Sequence, residues 1–234
     1  MPLKTHFGER SPRTGIDATG ASCCQDISSP GAQRGKQPDM TKVFGIGFQK
    51  TGTTTLGAVL EKLGYKTAGY YQFRDMAQRD DLTWEEVEHR ALQIASEYDA
   101  GKDTPWPLLY QQLDRAFPGS KFIHVVRKPE AWIKSAVNDF ADQPNALHQL
   151  IYGVPFPKGH EAIWLERYER HNREVEAYFA DRPQDYIRFN LEEGIDIPSL
   201  CTFLGHEPVA MAPPVANTRF RKMVKMAWWR LTGK

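Results

Sequence analysis

The sequence predicts an α/β fold in which a central parallel sheet is flanked by helices. From Met40 onward, short apolar segments of strand length alternate with amphipathic segments of helix length. Threonine or proline begins several of the helical segments and glycine follows others, as expected for helix ends. Strands that alternate with helices favour parallel pairing, because each helix returns the chain to the same end of the sheet.

The predicted elements follow one another in a regular order. Lys42–Gly47 is the first strand, and Thr53–Leu63 is a helix that we expect to be capped by its threonines. Thr83 and Glu86 have the spacing of a capping box, which predicts a helix over Trp84–Tyr98. The other predicted elements are the strands Tyr65–Tyr70, Asp99–Asp103, Lys121–Val126 and Tyr186–Asn190 and the helices Pro107–Phe117, Pro129–Phe140, His160–Phe179 and Ile197–Leu204.

Composition limits the class of protein. The chain has 234 residues, of which 41% are hydrophobic and 25% are charged, and its formal net charge is +1. This balance is typical of a globular protein and creates no overall field that would attract nucleic acid. The 3 cysteines do not make a disulfide framework, and no apolar segment has the length of a membrane span or the form of a signal peptide. We therefore expect a cytoplasmic protein.

The two ends of the chain differ from its middle. Residues 1–39 are rich in Gly, Ser, Pro, Arg and Gln, which predicts a disordered N-terminal extension; a regulatory or targeting arm is the alternative. Residues 40–218 form the predicted folded domain. Residues 219–234 are basic and contain tryptophan. This tail is either a packed helix with a solvated basic face or a segment that makes weak contact with a membrane surface.

The loop between the first strand and the first helix is the most informative segment. Gly47 and Gly52 have the spacing of the phosphate-binding motif GxxxxGK[ST]. Thr53, however, stands at the position of the motif's lysine, and the loop carries its lysine at Lys50. The N–H groups at the start of a helix can still hold a phosphate. The sequence therefore predicts an anion site whose positive charge is directed at a different atom of the ligand.

Arg127 and Ser135 predict a second anion site. Arg127 directly follows the strand Lys121–Val126, and Ser135 lies eight residues later, within the next helix. The carboxyl ends of parallel strands meet at one edge of the sheet, so this pair and the glycine loop share that edge. The planar fork of arginine matches the oxygens of a phosphate. Two separate anion sites suit a nucleotide that is phosphorylated at two places.

Together the two motifs resemble those of the P-loop sulfotransferases. The segment GFQKTGTTTL is similar to their 5′-phosphosulfate loop, in which lysine precedes the glycine, and VVRKPEAWIKS is similar to their 3′-phosphate motif. The resemblance covers most of residues 42–220 and is nearest to a bacterial-type branch. It implies a P-loop NTPase-like three-layer sandwich and the donor 3′-phosphoadenosine 5′-phosphosulfate (PAPS). It also implies a hydroxyl or amine acceptor on a small molecule, glycan or lipid, and no metal.

The resemblance also implies roles for individual residues. Lys50 would reach the bridging oxygen of the phosphosulfate and offset the charge that develops there. Arg127 and Ser135 would hold the 3′-phosphate. The basic tail, residues 219–234, could also contact this phosphate, which adds a third interpretation of the tail to the two given above. The 5′-phosphate would be held by the loop residues Thr51, Gly52, Thr53, Thr54 and Thr55.

Asp103 is the candidate general base. The animal cytosolic sulfotransferases carry a histidine here within a His-x-Pro stretch, whereas this chain has Asp103-Thr104-Pro105. A free aspartate is a weak base at neutral pH. A loose transition state needs little base strength, because the proton can leave late. The alternative is that Asp103 only caps the helix that follows it.

Two other functions stay open at this point. A small-molecule kinase would carry lysine beside the second glycine, where this chain has Thr53, although Asp103 could hold Mg²⁺ for such an enzyme. A non-catalytic nucleotide-binding homologue is supported only by the replacement of histidine by Asp103. The sequence does not identify the acceptor, because the loops that form such pockets vary within one fold.

Overall fold

The computed structural model describes residues 41–208. The expected N-terminal extension (1–39) and the basic tail (219–234) lie outside these residues, so both stay predictions, as does the domain range 40–218. Within the described range, no helix is both long enough and apolar enough to cross a membrane.

A five-stranded sheet lies at the centre of the fold. The strands are β1 (Val43–Gly45), β2 (Thr67–Ala68), β3 (Ala100–Gly101), β4 (Lys121–Val126) and β5 (Tyr186–Asn190). Their order in the sheet is β2-β3-β1-β4-β5, and every neighbouring pair is parallel. The predicted α/β class with a central parallel sheet is therefore confirmed.

Helices cover both faces of the sheet. The α-helices are α1 (Thr53–Lys62), α2 (Trp84–Glu97), α3 (Tyr110–Ala116), α4 (Pro129–Phe140), α5 (Ala146–Tyr152), α6 (Glu161–Tyr178) and α7 (Ile197–Phe203). Successive residues of a strand point to opposite faces, so Phe44 and Phe122 join a core with α2, α3 and α6, while Val43 and Ile123 join a core with α1 and α7. Short 3₁₀ helices span Tyr70–Phe73, Met76–Gln78 and Trp106–Leu109.

Some local predictions are confirmed and others are wrong. The capping box of Thr83 and Glu86 at the start of α2 is present. The threonines do not cap α1, because Gly52 precedes the helix in a left-handed conformation and no described side chain accepts from its first N–H groups. The predicted helix Pro107–Phe117 is a 3₁₀ segment followed by the shorter α3. Helix α5 was not predicted, although Asn145 caps it.

Buried histidines support the sheet from the α6 side. His124 on β4 donates from Nε2 to Asn172 at 3.0 Å and accepts at Nδ1 from the Tyr186 hydroxyl at 2.8 Å. His171 on α6 donates to the carbonyl of Ile46 at 2.8 Å. Burial lowers the pKa of His124 to about 4 and holds the pKa of His171 well below its usual range. Both rings are therefore neutral in the folded protein at neutral pH.

We expect the free energy of unfolding to decrease as the pH falls from about 6.5 toward 4. In this range the unfolded chain binds protons on histidines that stay neutral in the folded chain, so acid favours unfolding. Urea unfolding at a series of pH values measures the slope. His124→Gln should flatten it, whereas His89→Gln, at an exposed position of α2, should not. Equal slopes for His124→Gln and the unaltered protein would contradict this account.

Candidate active site

The phosphate loop, residues 46–52, runs from the end of β1 to the start of α1 and lies against β4. A Cβ on Gly47 would lie 2.2 Å from the carbonyl oxygen of Val125, so only glycine allows this approach. Gly52 has φ 92°, in the left-handed region that favours glycine. The two glycines of the sequence motif thus place the loop at the carboxyl edge of the sheet.

The start of α1 presents backbone N–H groups. The first helical bond of α1 runs from the N–H of Leu56 to the carbonyl of Gly52 at 3.0 Å. The N–H groups of Thr53, Thr54 and Thr55 precede that bond, and no described side chain caps them. Such N–H groups, with the helix dipole behind them, attract an anion. This geometry suits the predicted 5′-phosphate contact, which stays a prediction.

Thr51 shapes the loop from within. It is fully buried, and both its hydroxyl and its N–H donate to the carbonyl of Phe48, at 2.6 Å and 3.3 Å. Both of its donors therefore serve the turn, unlike those of Thr53 to Thr55.

Lys50 points from the loop toward α4. Its backbone has φ 70°, an uncommon conformation for a residue with a side chain. Its Nζ donates to Oδ2 of Asp139 on α4 at 2.9 Å. The side chains of Lys50 and Asp139 are 20% and 27% exposed, so solvent reaches the pair. The lysine is thus held at the mouth of the site.

Arg127 lies beside Lys50, as the shared sheet edge predicts. Its Nη1 donates to the carbonyl of Lys50 at 3.4 Å. The hydroxyl of Tyr168 accepts from the N–H of Arg127 and donates to its carbonyl, both at 2.8 Å. Ser135 is half-buried on α4, about one turn before Asp139. The structure therefore brings Arg127 to the phosphate loop, and the convergence of Ser135 with Arg127 stays a prediction.

Asp103 contacts the start of α1 from the other side. Its Oδ2 accepts from the hydroxyl of Thr53 at 3.2 Å, and its Oδ1 accepts from the N–H of Thr104 at 2.9 Å. The 3₁₀ helix that follows has no side-chain cap, so the alternative in which Asp103 only caps that helix is wrong. Asp103 also has a positive φ, 71°. Among the non-glycine residues of the range 41–208, only Lys50 and Ala141 share this feature. Unusual backbone conformations of this kind cluster at functional sites.

Gln49 is a central residue that the sequence analysis missed. Its carbonyl accepts from the indole N–H of Trp132 at 2.8 Å, and its side chain donates to the hydroxyl of Tyr152 at 2.5 Å. The hydroxyl of Thr104 donates to the same side chain at 3.0 Å. Gln49 thus connects the phosphate loop with α4, α5 and the segment of Asp103. It stands at a variable position of the loop motif, so no local pattern marks it.

An aromatic cluster lies beneath the loop. Trp132 stacks on Tyr168 with ring centroids 4.1 Å apart, and Trp164 stacks on Tyr152 at 3.7 Å. Burial raises the pKa of both tyrosines, so their hydroxyls stay protonated and donate or accept as neutral groups. The cluster consists of Phe48, Trp132, Tyr152, Trp164 and Tyr168.

The arrangement can bind an anion and offers no evident metal centre. In residues 41–208, no group of three or more His, Cys, Asp or Glu side chains is placed to hold a metal ion. Cationic groups lie on the α4 side of the α1 terminus, and a carboxylate lies on the β3 side. Such a site can position an anionic group between a cation and a proton acceptor.

Comparison with known proteins finds a family model that matches part of the chain. Residues 42–154 match the family model described as a sulfotransferase domain. Over this range the chain is similar to that family. The matched range contains the proposed site residues Lys50, Asp103, Arg127 and Ser135.

The chain is also similar to a curated protein and to solved structures. The chain is 30% identical over 112 residues to the Ava biosynthesis cluster protein M of Aspergillus versicolor, and the match spans 42% of each protein. It therefore covers about two fifths of that relative's length. A sulfotransferase from Alicyclobacillus acidocaldarius has a TM-score of 0.48 at 15% identity, over 81% of this chain and 91% of that one.

Two further solved structures are similar to the chain. The sulfotransferase domain of the olefin synthase from Synechococcus PCC 7002 has a TM-score of 0.45 at 15% identity, over 79% of this chain and 85% of that one. A shikimate kinase from Bacteroides thetaiotaomicron has a TM-score of 0.43 at 18% identity, over 79% of this chain and 98% of that one.

We expect Trp132→Phe to reduce the free energy of unfolding by about 1–3 kcal/mol more than Trp164→Phe does. Both tryptophans are fully buried and stack on a tyrosine, but the indole N–H of Trp164 has no hydrogen-bond partner among the described residues. Trp132→Phe also leaves the carbonyl of Gln49 without its donor. Urea unfolding of both variants measures the difference, and equal losses would show that the bond to the loop contributes nothing.

Proposed function

We propose that the protein transfers a sulfuryl group from PAPS to a hydroxyl or amine of an acceptor. The observation that carries this proposal is the meeting of Lys50 and Arg127 at the phosphate loop, where the arginine donates to the lysine's carbonyl at 3.4 Å. Two cations beside one open helix start suit a donor that has an anionic group at each of two positions. The sulfotransferase match, which includes both residues, supports the same reaction.

In the proposed reaction, the acceptor oxygen or nitrogen bonds to sulfur as the bond from sulfur to the bridging oxygen breaks. Adenosine 3′,5′-bisphosphate leaves and carries the negative charge away. Lys50 offsets the charge that develops on the bridging oxygen, and the N–H groups of Thr53 to Thr55 hold the 5′-phosphate. Arg127 and Ser135 hold the 3′-phosphate. Positioning and charge stabilisation supply most of the rate enhancement in transfers of this kind.

Asp103 is proposed to take the proton that the acceptor loses. Its bonds from Thr53 and Thr104 orient the carboxylate at the start of α1, and the proposed reaction would take place beside it. A carboxylate is a weak base, but the acceptor becomes more acidic as its bond to sulfur forms. Asp103 can therefore accept a proton that departs late.

The proposal also covers partners and location. We infer an acceptor on a small molecule, glycan or lipid and a cytoplasmic enzyme. With a net charge of +1, the protein has no strong overall positive field that would attract nucleic acid.

A P-loop small-molecule kinase is a second candidate, and one observation favours it. The hydrogen bond from Thr53 to Asp103, at 3.2 Å, places a carboxylate beside the start of α1, next to Thr54, which stands at the [ST] position of GxxxxGK[ST]; a hydroxyl there and a carboxylate hold Mg²⁺ in P-loop nucleoside triphosphatases. Thermal unfolding with adenosine 3′,5′-bisphosphate or with ATP and Mg²⁺ separates the two candidates, because a ligand that binds the folded state raises the midpoint. A rise only with ATP and Mg²⁺ would refute the sulfotransferase proposal. A transfer assay with sulfur-labelled PAPS and pooled acceptors then separates an enzyme from a non-catalytic binder.

Lys50→Met should reduce the turnover number by at least about 100-fold, because it removes the cation at the bridging oxygen. Methionine keeps the length of the side chain and leaves the backbone unchanged. The assay uses labelled PAPS, and Lys134→Met, at an exposed position of α4, is the control. A Lys50→Met variant with full turnover would overturn the proposed role.

Asp103→Asn should reduce the turnover number by about 100-fold or more and leave the affinity for adenosine 3′,5′-bisphosphate nearly unchanged. Asparagine tolerates the left-handed backbone. Its Oδ1 can accept from the N–H of Thr104 and its NH2 group can donate to the hydroxyl of Thr53, so the variant removes chiefly the basicity. Steady-state kinetics and calorimetric titration of the bisphosphate measure the two effects. Unchanged turnover would remove Asp103 from the chemistry.

A further inference from the structure

Each cation of the proposed donor site is already engaged by a carboxylate. Lys50 contacts Asp139 at 2.9 Å, and Nε of Arg127 lies 3.8 Å from Oε1 of Glu192. The two acids come from different elements, since Asp139 lies on α4 and Glu192 follows β5. The structure thus shows the same arrangement twice, on independent parts of the chain.

Glu192 occupies a position that suits a phosphate. Its two carboxylate oxygens lie 3.3 Å and 3.2 Å from the N–H of Lys128, the residue that precedes α4. The carboxylate therefore contacts the start of a helix and an arginine at once. Those two features together attract phosphate groups.

The segment that carries Glu192 is held against the site. The N–H of Leu191 donates to the carbonyl of Val126 at 2.8 Å. The side chain of Leu191 packs at Gly52, where an added Cβ would lie 2.8 Å from its Cδ1. Glu192 is therefore delivered to Arg127 by a fixed backbone, and its side chain, at 29% exposure, can still move.

Asp139 is placed in a similar way at Lys50. It lies about one turn after Ser135 on α4, so the two side chains share one face of the helix. An anion that approaches Lys50 meets the negative charge of Asp139. The carboxylate must give up its contact with the lysine if the lysine is to reach the anion.

We propose that Glu192 and Asp139 are internal counter-ions that the donor displaces, Glu192 by the 3′-phosphate at Arg127 and Asp139 by the 5′ group at Lys50. This inference rests on the proposed function. The acids hold the two cations in place and balance their charge. They also weaken donor binding, because each phosphate has to replace a carboxylate that is already bound.

The test is calorimetric titration of each variant with each of two ligands, adenosine 3′,5′-bisphosphate and adenosine 5′-phosphate, at fixed ionic strength. Glu192→Gln should tighten the bisphosphate about threefold and leave the 5′-phosphate unchanged. Asp139→Asn should tighten both ligands about threefold. These magnitudes are typical of partly exposed ion pairs.

Matched control variants remove the same charge without touching the cations. Glu193→Gln alters the residue next to Glu192. The carboxylate of Glu193 accepts from the side chain of Asn190 at 3.0 Å. Asp142→Asn alters an acid that follows α4 and pairs with Lys158 at 3.0 Å. Neither control should change either affinity. Equal tightening in the controls would mean that overall charge causes the effect, and it would overturn the proposal.

The remaining outcomes are equally decisive. Unchanged or weaker binding of the bisphosphate to Glu192→Gln would overturn displacement, and weaker binding would show that Glu192 orients Arg127 for the ligand. If the unaltered protein binds the bisphosphate but the variants do not change the affinities, only the counter-ion proposal fails. If the unaltered protein does not bind the bisphosphate, the PAPS assignment fails and the counter-ion proposal fails with it.

Discussion

Trp132 donates its indole N–H to the carbonyl of Gln49, at 2.8 Å, in the middle of the phosphate loop. Loops normally leave such carbonyls to water. Here a buried side chain on α4 satisfies the carbonyl, so the loop is tied to the interior one residue before Lys50. Thr51, on the other side of Lys50, is held by its own bonds to the carbonyl of Phe48, so the left-handed backbone of Lys50 lies between two fixed residues. This buried bond therefore helps to position the backbone that carries Lys50, whose side chain contacts Asp139.

The same support reaches the second cation. Trp132 stacks on Tyr168, and the hydroxyl of Tyr168 makes both hydrogen bonds to the backbone of Arg127. One pair of aromatic rings therefore fixes the loop that carries Lys50 and the turn that carries Arg127. Rigid placement of charged groups before a ligand arrives lowers the reorganisation that the reaction requires. Aromatic packing thus holds in place the backbone segments that carry the two positive charges of this site.

Local patterns in the sequence predicted the parts of the fold that depend on local physics. The strand Lys121–Val126 and the helix Pro129–Phe140 have the predicted bounds, because an apolar run and an N-terminal proline define them. Glycine spacing likewise located the phosphate loop. The contacts of Gln49 were not predictable, because its partners Trp132 and Tyr152 lie 83 and 103 residues away in the chain. Asp139 and Glu192 were missed for the same reason, since an acidic residue on a helix or in a loop carries no local mark of its partner.

The displaced lysine changes what the start of α1 can do. In the motif GxxxxGK[ST], the lysine belongs to the first turn of the helix and faces the bound phosphates. In this chain Thr53 takes that place and bonds to Asp103, while Lys50 projects toward α4. The helix start therefore lies between a cation on one side and a carboxylate on the other. That separation suits a transfer in which one end of the reacting group becomes an anion and the other end loses a proton, and it arises from a shift of one side chain within an otherwise ordinary loop.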